Sequence, residues 1–111
     1  MNLTDSIKGK TAEFLSLCKT HEVKELYAFG SATNGEFKED LSDIDLLVEL
    51  ETEDPVQRGL FLMDLWEKLE IFFQRKVDLL TNASIKNPIL RRSIDSSKTL
   101  IYDGQKQKVF V

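Results

Sequence analysis

Leu26-Tyr27-Ala28-Phe29-Gly30-Ser31, eleven intervening residues, and then Asp43-Ile44-Asp45-Leu46-Leu47-Val48-Glu49-Leu50 form the stretch whose reading decides the fold. The first run is short, apolar and aromatic, and it stops abruptly at Gly30-Ser31, which predicts a buried strand ending in a tight turn. The second, from Ile44 to Leu50, is almost continuously apolar and predicts a strand covered on both faces. Between them, residues 32–42 contain the turn dipeptide Asn34-Gly35 and predict a loop or one short helical turn. Side chains alternate along a strand, so Asp43 and Asp45 are expected to point the same way, roughly 6–7 Å apart, while Ile44 enters the opposite layer.

Working outward, residues 4–21 predict a helix with Ile7, Phe14, Leu15 and Cys18 on one stripe and Thr4 or Asp5 as its N-cap. Asp54-Pro55, with Gln57 three residues after the cap, predicts the start of a second helix, and the repeat of Leu62, Leu65, Leu69 and Phe72 carries it to about Phe73. Lys76-Val77-Asp78-Leu79-Leu80-Thr81 predicts a third strand, Asn87-Pro88 another helix start, and Thr99–Tyr102 a fourth strand or a last helical turn. Residues 105–111 carry no signal of order. The order α-β-β-α-β-α-(β) predicts an α/β (α+β) fold with one small mixed sheet and helices packed on one face. Its 111 residues, 1–111, predict a single domain. His21 is expected on the surface at a helix end, and Cys18 and Trp66 are expected to pack.

Apolar residues make up 41% and charged residues 31% of the chain, which excludes disordered and collagen-like classes. No apolar run is long enough to span a bilayer, and the N-terminus lacks the layout of a signal peptide. With a lone Cys18, these features predict a cytoplasmic protein with no membrane partner. The net charge of −4 is unevenly spread. Residues 36–54 carry nine acids against Lys38 alone, whereas residues 86–111 carry six bases against Asp95 and Asp103. Such an acidic stretch disfavours direct contact with nucleic acid and favours collection of Mg2+.

Asp43, Asp45 and Asp78 lie inside or beside apolar strands, where unpaired carboxylates are costly and raise one another's pKa unless a cation neutralises them. If the second and third strands are neighbours in register, all three suit a pair of divalent ions about 3.5–4 Å apart, the arrangement used for in-line nucleotidyl transfer. Gly30 lets the backbone approach an anion, and the Ser31 hydroxyl with the following N–H groups can hold phosphate oxygens. Neither a Gly-x-x-x-x-Gly-Lys-[Ser/Thr] nor a Gly-x-Gly-x-x-Gly motif is present, which removes the P-loop and dinucleotide-fold alternatives.

Phe29-Gly30-Ser31, Asp43-Ile44-Asp45-Leu46-Leu47-Val48 and Val77-Asp78-Leu79-Leu80 together resemble the signature of the minimal nucleotidyltransferases of the DNA polymerase β-like superfamily, over roughly residues 10 to 102. The resemblance implies that Gly30 and Ser31 hold the triphosphate, that Asp43 and Asp45 bind two Mg2+ ions (or Mn2+), and that Asp78 assists the catalytic metal and the attacking hydroxyl. The family often has ten residues between the Ser and the first Asp and an Arg soon after the Ser. This chain has eleven, with Ala32-Thr33 in that place. Arg91 or Arg92, early in the last helix, is a candidate to reach a triphosphate or a partner, and the residue that stands in for the missing Arg stays open.

A chain of this length has no room for an acceptor-binding domain, so the second substrate is expected on another molecule. The resemblance implies an antitoxin that transfers AMP, with ATP favoured, to a Tyr of a helical HEPN-type ribonuclease toxin. Two rivals share the sequence features: a non-catalytic module that occludes the toxin, and a nucleotidyltransferase for a small-molecule acceptor built with a helical partner subunit. A homo-oligomer stays open at this stage.

Overall fold

The computed structural model of the protein describes residues 3–30 and 43–110. The chain enters through α1 (Leu3–Lys8) and α2 (Thr11–Thr20), which are separated at Gly9-Lys10. The predicted single helix is therefore two, and because α1 already begins at Leu3, neither Thr4 nor Asp5 is its cap. The residues at the break explain it: Gly9 is a poor helix former, and the Lys10 N–H turns back to the Ile7 carbonyl at 2.8 Å. One apolar stripe still serves both helices, burying Leu3, Ile7, Phe14 and Cys18. Burial pushes the Cys18 thiol up to about 12, so it packs as an inert apolar group.

Strand β1 (Val23–Phe29) pairs antiparallel with β2 (Ile44–Leu50). Helix α3 (Pro55–Phe73) follows, then β3 (Val77–Leu80), a 3-10 turn over Asn82–Ser84, α4 (Pro88–Ser97), β4 (Thr99–Asp103) and the short β5 (Lys108–Val109). Among the described residues, five strands make one sheet in the order β3-β2-β1-β4-β5. Only the β2–β3 pair is parallel, as the crossover through α3 allows, so the sheet is mixed as expected. β1 starts three residues earlier than its apolar run suggests, because Lys24 and Glu25 lie at a bulge where the register shifts. The tail without a sequence signal contributes β5, which pairs Val109 with Tyr102.

Alternation sorts the two faces of the sheet. Leu26 and Ala28 of β1, Ile44, Leu46 and Val48 of β2, and Val77 of β3 join Phe14, Leu65 and Leu69 in the main core under α1, α2 and α3. The opposite face carries Phe29 and Leu47, covered by Ile85 and by Ile94 of α4, with Tyr27 and Leu80 at its margin. This second cluster is small, so much of that face is left for other uses.

The two expected Pro-led helix starts differ in detail. Asn87 caps α4 through its side-chain oxygen, which accepts from the Ile89 N–H at 2.8 Å and the Leu90 N–H at 3.3 Å. Asp54 precedes Pro55 as expected but makes no side-chain cap bond, so the expected capping box with Gln57 is absent. Asn87→Ala is therefore expected to cost about 1 kcal/mol of stability, read as a lower urea midpoint at unchanged slope, whereas Asp54→Ala is expected to change it by much less. Equal losses in the two variants would show that Asp54 also caps.

His21 is not a surface residue. It is only 2% exposed, its Nδ1 lies 2.8 Å from the Leu17 carbonyl, and its Nε2 lies 2.6 Å from Asp64 Oδ2. Because Asp64 also pairs with Lys68 on the next turn of α3, the imidazole acts as a peg between α2 and α3.

Candidate active site

The carboxylates gather on the sheet face away from α1–α3. Register places Asp45 directly beside Asp78 across the parallel β2–β3 pair, and beside Phe29 across the antiparallel β1–β2 pair. Neighbouring strands lie about 4.8 Å apart, so two Asp side chains on one face at this register are close neighbours. Their strand mates on that face, Leu47 and Leu80, belong to the small second cluster, while Ile44, Leu46 and Val77 point into the helical layer. The alternation expected at Ile44 is therefore present.

Asp43 and Asp78 are exposed, and Asp45 is half-buried between them. The expected burial penalty thus falls mainly on one group. Burial, followed by the charges of Asp78 and Asp43, pushes the Asp45 carboxyl up from 3.8 to about 6. The charge of Asp43 acts from just before β2, where the Ile44 N–H donates to the Lys76 carbonyl at 3.0 Å and ties the strand entry to β3.

Gly30 ends β1 with φ +69, a left-handed conformation that suits glycine. A side chain here would also meet its neighbour, since a Cβ atom would lie 2.7 Å from Asp45 Oδ2. Conformation and contact both require glycine, and they fix the turn against the carboxylate. Ser31 and residues 32–42 lie outside the described residues, as does the Ala32-Thr33 pair.

Two further residues hold Asp78, and sequence reading did not single them out for this. β3 is an edge strand, and α3 binds its first residue: the Trp66 indole N–H donates to the Val77 carbonyl at 2.7 Å, and the Val77 N–H donates to Glu70 Oε2 at 3.0 Å. The backbone N–H and C=O of Val77, the residue before Asp78, are thereby both bonded by side chains one helical turn apart. The i, i+4 spacing of Trp66 and Glu70 was visible, but their target lies beyond the helix end. Arg91 is committed elsewhere: its guanidinium donates to Asn82 Oδ1 at 2.7 Å and to the Asn82 carbonyl at 2.9 Å.

Among the described residues, no three His, Cys, Asp or Glu side chains form a complete metal cage by themselves. That donor set fits Mg2+ all the same, since this ion is usually held by one or two carboxylates, with waters and substrate phosphates completing its octahedron. Asp45 and Asp78 provide the carboxylates, and the charge crowding that raises Asp45 is what a cation would relieve.

The described residues thus form a mixed sheet with a helical layer behind it and the adjacent Asp45 and Asp78 in front. Residues 12–101 match the nucleotidyltransferase domain, and the chain belongs to that family. A candidate protein adenylyltransferase of Methanocaldococcus jannaschii is 40% identical over 74% of this chain and 78% of its own length. The solved structure of a candidate minimal nucleotidyltransferase superposes with a TM-score of 0.68 at 30% identity, covering 89% of this chain and 95% of that one. The same fold occurs in a solved complex of a tri-AMPylated Shewanella oneidensis HEPN toxin with an MNT antitoxin, at TM-score 0.52 and 21% identity over 86% of this chain and 71% of that one. The protein is thus a nucleotidyltransferase of the minimal type, and its curated relatives are named as protein adenylyltransferases.

Proposed function

We propose that this nucleotidyltransferase is an antitoxin that transfers AMP from ATP to a tyrosine hydroxyl of a helical HEPN-type toxin. The observation that carries the reading is the register of Asp45 against Asp78 beside the Gly30 turn, on the sheet face away from the α1–α3 layer. The tri-AMPylated toxin found with a protein of the same fold supports the choice of acceptor. In the reaction a bond forms between the acceptor oxygen and the α-phosphorus of ATP, the bond to the β-phosphate oxygen breaks, and pyrophosphate leaves. Gly30 keeps the backbone low beside Asp45, leaving space for the triphosphate, with Ser31 as a further phosphate ligand. Asp45 and Asp78, with the Asp43 charge beside them, would hold two Mg2+ ions completed by waters and substrate phosphates, and the ions would supply charge neutralisation and polarise the acceptor oxygen. Asp78 orients the attacking hydroxyl and takes its proton. The catalysis that this small site needs is mostly positioning and electrostatics.

The test uses the intact chain with ATP, Mg2+ and the product of the adjacent gene, which is then weighed whole. The expected result is a mass gain of one or more AMP units, absent when EDTA replaces Mg2+ and absent for Asp43→Ala combined with Asp45→Ala. An unmodified partner whose ribonuclease activity is nonetheless suppressed would overturn the reading in favour of an occluding module. AMP found on a small molecule would favour the third alternative.

A further inference from the structure

Helix α3 has two apolar faces. One is the core face built on Leu65 and Leu69. The other points away from the protein and carries Val56, Leu60, Met63 and Ile71, which are 72%, 65%, 71% and 67% exposed. With Glu67, these residues follow steps of four, three, four and four, so they form one continuous seam along the outer side of the helix. Four large apolar side chains this exposed leave a patch on the order of 400–500 Å², near the upper end for a monomer surface and about half of what one partner contributes to a standard interface. The seam needs a cover whose flanks add further contact.

The charge around α3 indicates what that cover is. Glu51, Glu53 and Asp54 precede the helix, and Arg75 and Lys76 follow it. A copy of the same helix laid antiparallel across Met63 brings the acidic end of each against the basic end of the other, twice, and also opposes the two helix dipoles favourably. In that register Met63 meets its own copy, Ile71 meets the Pro55-Val56 corner, and the acidic segment before each helix lies beside the basic segment after the other. Glu67 falls opposite Gly59, where nothing lies within 4 Å of the missing side chain, so its carboxylate has a path to water. We infer that the protein forms a two-fold dimer through the outer face of α3, with antiparallel helices centred on Met63. The seam lies behind the helical layer, so both carboxylate faces stay open and point away from each other.

Sedimentation equilibrium of the full chain is expected to show a mass approaching twice 12.8 kDa at tens of micromolar. Met63→Lys is expected to weaken the dimer at least tenfold. Lys76→Glu is expected to weaken it several-fold, and Glu53→Lys added to Lys76→Glu is expected to restore it, because opposite charges then face each other again at the two ends. Met63 and Lys76 are exposed, and far-ultraviolet circular dichroism checks that each variant is folded. A chain that remains monomeric at 100 µM overturns the inference, as does a dimer indifferent to Met63→Lys or a charge swap that fails to rescue. A monomer whose Met63 becomes protected only when a helical partner protein binds would overturn it too, and assign the seam to that partner. None of these outcomes depends on whether AMP is transferred.

Discussion

Asp45→Asn is expected to lower nucleotidyl transfer about a thousandfold, the rate equivalent of several kcal/mol of lost charge stabilisation, while making the metal-free protein slightly more stable at neutral pH. Both effects have one origin. The Asp45 carboxylate is pressed between Asp78 and Asp43 in a partly desolvated position, where its charge is unfavourable until a cation arrives. In the folded chain its carboxyl ionises near 6, against an ordinary value of 3.8. Between roughly pH 4 and pH 6 the folded chain therefore keeps a proton that the unfolded chain has lost, and stability declines as pH rises through that window. The Asn variant lacks this decline. Its gain at pH 7 in EDTA is expected to be about 1 kcal/mol or less, because water screens a half-exposed group. Thermal melts from pH 3.5 to 8 in EDTA measure it, and identical pH slopes for the two proteins would remove the assignment. Mg2+ binding to the unmodified protein is expected to tighten as pH rises through 6, since the ion competes with that proton.

Gly30→Ala is expected to be nearly as damaging although it adds only one methyl group. Its φ of +69 costs an L-residue about 1 kcal/mol or more, and the new Cβ would begin 2.7 Å from Asp45 Oδ2, closer than such atoms approach. Either the turn or the carboxylate must shift. A displacement of even about 1 Å in a positioned group can reduce turnover a hundredfold, which is the expected loss here. Gly9→Ala is the matched control: nothing lies within 4 Å of its missing side chain and its φ is not positive, so transfer is expected to be unchanged. Turnover of Gly30→Ala within threefold of the parent would show that the turn does not set the carboxylate.

Much of this site could be read from sequence because its determinants are local. Gly30 ends an apolar run, Asp45 interrupts another, and Asp78 a third, so each carboxylate announced its strand. The parallel register that joins Asp45 to Asp78 was conditional at that level, and only the crossover through α3 fixes it. What escaped depended on partners distant in the chain. His21 looked like a solvated helix end because nothing near it in sequence hints at Asp64, 43 residues on. Trp66 looked like simple packing because its hydrogen bond to Val77 spans the end of α3. The break at Gly9-Lys10 was hidden by an apolar stripe that continues across it.

β2 has a hydrogen-bonded neighbour on each side, β1 and β3, and its alternate residues Ile44, Leu46 and Val48 are almost wholly buried. Asp45 is thus carried on an interior strand, which cannot open without breaking the pairing on both of its edges. Amide exchange at Ile44 and Leu46 should rank among the slowest in the molecule, on the time scale of global unfolding, because no smaller fluctuation frees a strand paired on both edges. The backbone position of Asp45 is consequently set once, when the chain folds. Binding an ion or a nucleotide there needs no ordering of the backbone beneath it, so the interaction free energy is available for affinity and for the transition state.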